Sequence, residues 1–290
     1  MTRLKGIADV NLLGKRVLIR VDYNIPLDGD SIDDDTRVRA TIPTIQRILD
    51  AGASIILISH LGRPEEGRFD EAFSLLPVAK CLSSLLNKDV QLIREWKNGV
   101  VVNPGEVVML ENIRFEAGEL DNDDELAKAM AGLCDVFVND AFACAHRAHA
   151  STHGVAKFAA LACAGPLLLA ELEALGKAFE NPARPMTAIV GGSKVSTKLT
   201  VLESLMQKID QLIVGGGIAN TFLKARGFNI GNSLYEEDLV PAASKLIGLA
   251  EEQGKQILMP VDVVCAKEFS RDAQATTKQL NEIEDDDLIM

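Results

Sequence analysis

The sequence predicts an α/β protein with parallel sheets, and two patterns along its 290 residues support that prediction. Short runs rich in Val, Ile and Leu alternate with longer stretches whose apolar residues follow helical spacing. The apolar runs are continuous rather than interrupted at every second position, which is typical of strands buried on both faces. Regular alternation of strands and helices favours parallel sheets with right-handed crossovers.

The individual elements follow from the same two patterns. Strands are predicted at residues 16–21, 54–59, 107–110, 135–138, 187–190, 211–214 and 256–259. Helices are predicted at residues 36–50, 75–86, 123–131, 166–180, 196–208 and 239–253.

The chain is too long for one ordinary hydrophobic core, which favours two domains. A boundary is predicted after the helix at residues 166–180, because the following Asn-Pro-Ala-Arg-Pro segment contains two prolines, and proline stops a helix. We therefore expect an N-terminal domain over residues 1–165, a linking helix and hinge over residues 166–185, and a second domain over residues 186–290.

The composition argues against several classes of protein. A net charge of −12 disfavours a surface for nucleic acid or anionic membranes, so neither partner is expected. The apolar runs are far too short to cross a bilayer, and the N-terminal residues lack the apolar segment of a signal peptide. The five cysteines contain no CxxC pair, so we predict reduced thiols in a cytoplasmic protein rather than disulfides or a zinc site.

Polar residues follow each early strand, at the sheet edge where open parallel sheets bind ligands. They include several arginines and one histidine, namely Asp22, Asn24, His60, Arg63, Arg114 and Arg147, with Arg37 at the start of the first helix. Guanidinium groups bind phosphate and carboxylate through paired donors, so converging arginines indicate a small anion with more than one charged group. Taken singly, each arginine is more often a surface ion pair, and a lone histidine is more often structural.

A metal is a weaker alternative for this region. His146, Arg147 and His149 lie close in sequence, but no carboxylate or cysteine has a supporting spacing, so no metal-binding residue is predicted.

The second half contains two glycine turns, each after a strand and before a helix. The first runs from Gly191 through Gly192 and Ser193 to Lys194 and Lys198, and it lacks the GxxxxGK[ST] pattern of a Walker A loop. Bare amides at a helix start and two lysines four residues apart suit phosphate. The second turn consists of Gly215, Gly216 and Gly217, where glycine lets the backbone approach a flat ligand or simply forms a tight turn. Together the turns favour a nucleotide.

These segments together resemble the phosphoglycerate kinase family over the whole chain. The strings RVDYNIP, SHLGRP, ENIRF, NDAFACAHRAHAS, AIVGGSKVSTK, IVGGGIANTFL and MPVDVV occur in family order. The resemblance implies two Rossmann-like domains around a cleft, the first binding 3-phosphoglycerate or 1,3-bisphosphoglycerate and the second binding ADP or ATP with Mg2+. It implies a glycolytic phosphoryl transfer that gives 3-phosphoglycerate and ATP, and we expect a monomer.

The resemblance also implies roles for individual residues. Asp22 and Asn24 match the substrate-binding strand end, and the basic patch is matched by Arg37, His60, Arg63, Arg114 and Arg147. The nucleotide-binding turns are matched by Gly192, Ser193, Lys198, Gly215, Gly216 and Gly217. As catalytic residues we expect Arg37 and Lys198 to act on the transferring phosphoryl group from opposite sides, with Lys194 in support.

Two departures from the family pattern qualify these expectations. Ala143 and Cys144 stand where the family usually has Gly-Thr. The family's late Gly-Gly-Asp turn, whose aspartate holds the metal, is absent from these 290 residues, so the second domain is expected to be incomplete and the activity of this chain by itself is left open. The alternative is a non-catalytic phosphometabolite-binding α/β protein or fragment.

Overall fold

The structure is a computed structural model that describes residues 4–29, 31–180, 182–196 and 198–290. Contacts between Cα atoms divide the chain into two compact units, Met1–Leu175 and Gly176–Met290. The division falls inside the predicted linking helix, and the assignment of separate ligands to the two units stays a prediction.

The first unit contains most of the regular structure. Its strands are β1 (Arg16–Arg20), β2 (Leu27–Asp28), β3 (Ser31–Ile32), β4 (Ser54–Ile58), β5 (Val90–Ile93), β6 (Val107–Leu110), β7 (Val136–Asn139) and β8 (Ala162–Ala164). Its helices are α1 (Thr36–Asp50), α2 (Leu76–Leu86), α3 (Asp124–Gly132), α4 (Val155–Phe158) and the start of α5 (Pro166–Glu180).

A six-stranded parallel sheet in the order β5-β6-β4-β1-β7-β8 forms the centre of this unit. Successive side chains of a strand point to opposite faces. Accordingly, Val17 and Ile19 of β1 join a core with Ile45 of α1, while Leu18 joins a second core with Met130 of α3. Both faces of the sheet are therefore buried, as the continuous apolar runs predict.

The second unit combines two small sheets. Its strands are β9 (Thr187–Gly191), β10 (Gln211–Gly215), β11 (Gln256–Leu258), β12 (Asp262–Ala266), β13 (Thr276–Gln279) and β14 (Leu288–Ile289), and its helices are α6 (Leu199–Met206), α7 (Gly216–Ala225) and α8 (Val240–Glu252). Strands β11, β10 and β9 form a parallel sheet, whereas β13, β12 and β14 form an antiparallel one.

The predicted α/β fold with two parallel sheets is confirmed, and the structure adds elements that the patterns missed. Edge strands β5 and β8, the two strands of the β2–β3 hairpin, and strands β13 and β14 of the antiparallel sheet are short and contain no long apolar run. Strand β12 does contain one, at residues 263–266, soon after the predicted strand at residues 256–259. Helix α6 begins at Leu199 instead of residue 196, after the glycine turn. Among the described residues, no helix is long and apolar enough to cross a membrane.

Candidate functional site

The carboxyl ends of four adjacent strands meet at one edge of the large sheet. In the order β6-β4-β1-β7, these strands are followed by Arg114, His60, Asp22 and Arg147. Parallel pairing puts these ends side by side, because every strand of the sheet runs in the same direction. The sheet order thus places these residues at the same edge.

Arg37 is held at this edge by two acceptors. Its Nη1 atom donates to Asp22 Oδ2 over 3.0 Å and to the carbonyl oxygen of Asn24 over 3.1 Å. The Arg37 side chain is nevertheless 51% exposed, while that of Asp22 is 14% exposed. The guanidinium is therefore fixed in position and still accessible to a ligand.

Gly62 links this group to the neighbouring arginines. Its amide donates to Asn24 Oδ1 over 2.8 Å, and its carbonyl oxygen accepts a hydrogen bond from Arg114 Nη1. Gly62 has φ +60°, and a Cβ on it would lie 2.3 Å from the Phe73 ring. Glycine is thus required here both by the left-handed backbone and by the close packing.

A small pocket of about 230 Å³ brings the remaining predicted arginines together. It is lined by Arg63, Pro64, Arg114, Leu120, Arg147 and His149. Burial lowers the pKa of Arg114, and so do the nearby positive charges of Arg147 and Arg20. Because the described lining residues include no carboxylate, a dianion would relieve this repulsion.

His60 lies deep in this edge as a neutral group. Its ring is buried, and Arg20 Nη2 lies 3.1 Å from its Nδ1 atom. Burial lowers the pKa of His60 to about 2, aided by the positive charges of Arg20, Arg114 and Arg147. An uncharged imidazole at neutral pH follows.

The sequence patterns did not predict two polar residues of the site, Arg20 and His149. Arg20 is 1% exposed, and the signal in the sequence is a charged residue directly after the apolar run of β1 and before Val21. His149 lines the arginine pocket, although the pattern suggested it only for a metal.

Cys144, which with Ala143 departs from the family pattern, lies against His60. Its Sγ atom is 4.0 Å from His60 Nδ1, and burial raises the pKa of its thiol. Together with Asp22 these residues have ligand atoms within 4.8 Å of one another. The positive charges of Arg20 and Arg147 act on the same region, so the local field disfavours a cation.

The two glycine turns of the second unit pack directly on each other. The amide of Ile218 donates to the carbonyl oxygen of Gly192 over 3.1 Å. A Cβ on Gly217 would lie 2.5 Å from the carbonyl oxygen of Ser193, and one on Gly216 would lie 3.0 Å from that of Gly192. Side chains are thus excluded where the two turns meet.

A cavity of about 960 Å³ opens beside these turns. Five of the predicted nucleotide residues line it, namely Gly192, Ser193, Gly215, Gly216 and Gly217. Apolar side chains complete the wall, including Leu234, Leu258 and Met259. An apolar cleft with bare backbone at one end has the size and chemistry for a flat ring attached to a polar group.

The predicted lysines do not line this cavity. Lys194 and Lys198 are exposed, and Lys198 is the residue that precedes the first turn of α6. Between them, Ser196 donates through its amide and its hydroxyl to the carboxylate of Glu236, which fixes the turn.

The described residues do not assemble a protein site for Mg2+ beside the glycine turns. Mg2+ requires oxygen ligands and commonly binds through substrate phosphates. The turns offer amides and ammonium groups, and among the described lining residues of the cavity Asp262 is the sole carboxylate. A separate acidic group, Glu284, Asp286 and Asp287, is paired with Lys267.

Comparison with known proteins identifies the family of this chain. A sequence model described as phosphoglycerate kinase matches residues 7–290. The chain is similar to the structure of phosphoglycerate kinase from Coxiella burnetii, with 53% identity and a TM-score of 0.85, over 99% of this chain and 74% of that one. It is also similar to the phosphoglycerate kinase from Pyrococcus horikoshii, with 28% identity and a TM-score of 0.78, over 97% of this chain and 72% of that one. The chain belongs to the phosphoglycerate kinase family.

Proposed function

We propose that the first unit binds 3-phosphoglycerate or 1,3-bisphosphoglycerate and that the second unit binds ADP or ATP. The family's reaction is glycolytic phosphoryl transfer between these compounds. The observation that carries the first assignment is the pocket in which Arg63, Arg114 and Arg147 converge without a carboxylate among its described lining residues. Family membership disfavours the alternative of a binding protein without catalysis.

The substrate-binding group consists of Asp22, Asn24, Arg37, His60, Arg63, Arg114 and Arg147. Gly62 joins the residues around Asn24 to the arginine pocket. Its amide donates to Asn24, and its carbonyl oxygen accepts a hydrogen bond from Arg114. We assign the arginine pocket to the phosphate of phosphoglycerate, because its guanidinium groups offer paired donors to a dianion. Arg37 then lies toward the reacting carboxyl group.

The nucleotide-binding group consists of Gly192, Ser193, Lys198, Gly215, Gly216 and Gly217. The apolar cavity beside the turns suits the base, and the exposed ammonium groups of Lys194 and Lys198 suit the phosphates. In the family Mg2+ accompanies the nucleotide, where it neutralises phosphate charge. We assign no residue of this chain to it.

The chemistry needs charge neutralisation more than proton transfer. In the direction that consumes ATP, a carboxylate oxygen of 3-phosphoglycerate forms a bond to the γ-phosphorus, and the bond from that phosphorus to the bridging oxygen of ADP breaks. A carboxylate is already ionised at neutral pH, so the reaction requires no general base. We propose that Arg37 and Lys198 neutralise the transferring group, with Lys194 in support.

The remaining assignments are a cytoplasmic location and a monomeric state. All cysteines of the described chain are unpaired thiols, which suits a reducing compartment. Size-exclusion chromatography with light scattering measures the oligomeric state, and a dimer would contradict the assignment as a monomer.

A coupled assay tests the proposed function. The 290-residue chain is mixed with 1,3-bisphosphoglycerate, ADP and Mg2+, and ATP is measured through hexokinase and glucose-6-phosphate dehydrogenase. ATP formation that depends on both substrates supports the proposal. If an equal amount of a folded preparation yields no ATP, the catalytic assignment to this chain is wrong, and calorimetry with each ligand then shows which binding assignments survive.

A further inference from the structure

We propose that Arg20, Ser151 and Glu119 are positioning residues that hold His60 as the neutral tautomer with its proton on Nε2. His60 then presents an N–H donor to an oxygen of the anionic substrate. This inference rests on the proposed phosphoglycerate site, and it adds residues and a proton arrangement to that site.

The direction of every hydrogen bond in this chain of contacts is fixed by the chemistry of its ends. Arg20 can only donate, because a guanidinium has no acceptor. It therefore donates from Nη2 to His60 Nδ1 over 3.1 Å and from Nε to Ser151 Oγ over 3.0 Å. Nδ1 must be the unprotonated nitrogen of the ring.

The other end of the chain is a carboxylate. Ser151 donates from its hydroxyl to Glu119 Oε1 over 2.6 Å and from its amide to Glu119 over 2.9 Å. Because the Ser151 hydroxyl donates its hydrogen to Glu119, the Ser151 oxygen can accept a hydrogen bond from Arg20. Each member thus fixes the orientation of the next.

The three positioning residues are buried, so water cannot readily take over a hydrogen bond that one of them loses. Arg20 is 1% exposed, Glu119 is 1% exposed and Ser151 is fully buried. Water has little access to substitute for a lost partner, so a broken contact leaves a polar group unsatisfied. A guanidinium and a carboxylate that share one hydroxyl also balance each other's charge in this environment.

The local backbone supports the same role. Ser151 belongs to a π-helical turn, Ala150–Gly154, of the kind that is frequent at functional sites. The amide of Ala150 donates to the carbonyl oxygen of Glu119 over 2.9 Å, which ties this turn to the Glu119 loop. His149, which precedes the turn, lines the arginine pocket.

Five other titratable groups lie near His60. Three of them also favour the neutral ring. Arg114, Arg147 and His149 disfavour a second proton on the ring. Asp22 and Cys144 have ligand atoms within 4.8 Å of a ring nitrogen. Arg20 and Cys144 both contact Nδ1, at 3.1 Å from the guanidinium and 4.0 Å from the thiol sulfur, and the guanidinium, which can only donate, requires that this nitrogen be unprotonated.

Nitrogen-15 NMR of the ligand-free chain tests the inference directly. The chain has four histidines, and the His60 signals are those lost in His60→Gln. We expect a single Nε2–H tautomer that does not titrate between about pH 5 and 8. A His60 that carries its proton on Nδ1, or that titrates in this range, would overturn the inference without reference to any variant.

Two variants extend the test to function. Ser151→Ala removes the hydroxyl between Arg20 and Glu119, so a second tautomer of His60 should appear and the Kd for 3-phosphoglycerate, measured by calorimetry, should rise about tenfold, with the Kd for ADP unchanged. Ser83→Ala, which removes a hydroxyl that bonds within α2 and to Val90, is the control and should change neither. An unchanged His60 spectrum in Ser151→Ala would overturn the positioning role, and a changed spectrum with an unchanged Kd for 3-phosphoglycerate would overturn the role toward substrate. If the wild-type chain shows the expected tautomer but binds no phosphoglycerate, the proposed function fails instead.

Discussion

Arg37 Nη1 lies 3.0 Å from Asp22 Oδ2, so the cation at the start of α1 is held by the residue that follows β1. This pair is exposed enough that solvent screens it, and its direct contribution to stability is small. Its effect is to fix the direction of the guanidinium before a ligand arrives. Preorganised charge of this kind is what a transferring phosphoryl group requires.

Replacement of Arg37 tests its assignment to the transferring group. Arg37→Ala should lower turnover by about a hundredfold or more, because one preorganised charge is lost. The thermal midpoint should change little, since the side chain is half-exposed. Arg39→Ala is the matched control, because Arg39 is an exposed arginine of the same helix and pairs with Asp35. Near-normal turnover in Arg37→Ala would remove Arg37 from the catalytic group.

The contact between the two glycine turns leads to a prediction about nucleotide binding. Gly217→Ala places a Cβ 2.5 Å from the carbonyl oxygen of Ser193, so one turn must move. We expect the Kd for ADP, measured by calorimetry, to rise about tenfold or more. Gly248→Ala in α8, where a Cβ has nothing within 4 Å, should leave the Kd unchanged. Equal affinities for all three proteins would show that the turns do not contact the nucleotide.

The buried imidazole of His60 makes stability depend on pH. Its pKa is lowered to about 2 by burial and neighbouring positive charge, while in the unfolded chain the pKa is about 6.5. The unfolded state therefore binds more protons below pH 6.5, and stability present above that pH is lost as pH falls toward 2. Between pH 6.5 and 5 the loss from this group amounts to about 2 kcal/mol.

Urea unfolding at pH 7.5 and pH 5 measures this effect. His60→Asn keeps an acceptor for Arg20 but has no titrating ring, so its free energy of unfolding should fall less between the two pH values. Parallel curves for the two proteins would contradict a neutral, buried His60.

Asp140 connects the site edge to the linking helix. Its Oδ2 atom accepts from Thr44 Oγ1 of α1 over 2.9 Å, and Oδ1 accepts from the amides of Leu167 and Leu168 at the start of α5. Gly165 leaves room for it, since a Cβ there would lie 2.2 Å from Oδ1.

Removal of this carboxylate should destabilise the first unit. Asp140→Ala leaves buried donors unsatisfied and should lower the free energy of unfolding by about 2–3 kcal/mol in urea titrations. Asp140→Asn keeps one acceptor oxygen and should have a smaller effect. Asp121→Ala, at an exposed position, is the control. A loss no larger than that of the control would mean that Asp140 does not anchor α5.

The sequence anticipated much of the site because parallel strands bring their carboxyl ends to one edge. This single rule groups Asp22, His60, Arg114 and Arg147 without knowledge of any distance. Helices α1 and α5 have the predicted bounds because a long amphipathic pattern and two prolines define them. The role of each residue in this group stays a prediction.

The missed features depend on contacts that are distant in sequence. Arg20 bonds to His60 and Ser151, which lie 40 and 131 positions away, and a local pattern contains no trace of either. Strand β8, Ala162–Ala164, consists of residues with weak strand preference and forms because β7 pairs with it. Strands β13 and β14 of the second unit arise in the same way, because each is short and pairs with β12.

We propose that converging arginines make the first unit a binding site for 3-phosphoglycerate. Isothermal titration calorimetry of the 290-residue chain with 3-phosphoglycerate measures this directly, alongside Arg114→Ala and the exposed control Arg68→Ala. We expect one site per chain, affinity that weakens with added salt, and a Kd raised about tenfold or more by Arg114→Ala but not by Arg68→Ala. Absence of binding, or equal affinity in all three proteins, would contradict it.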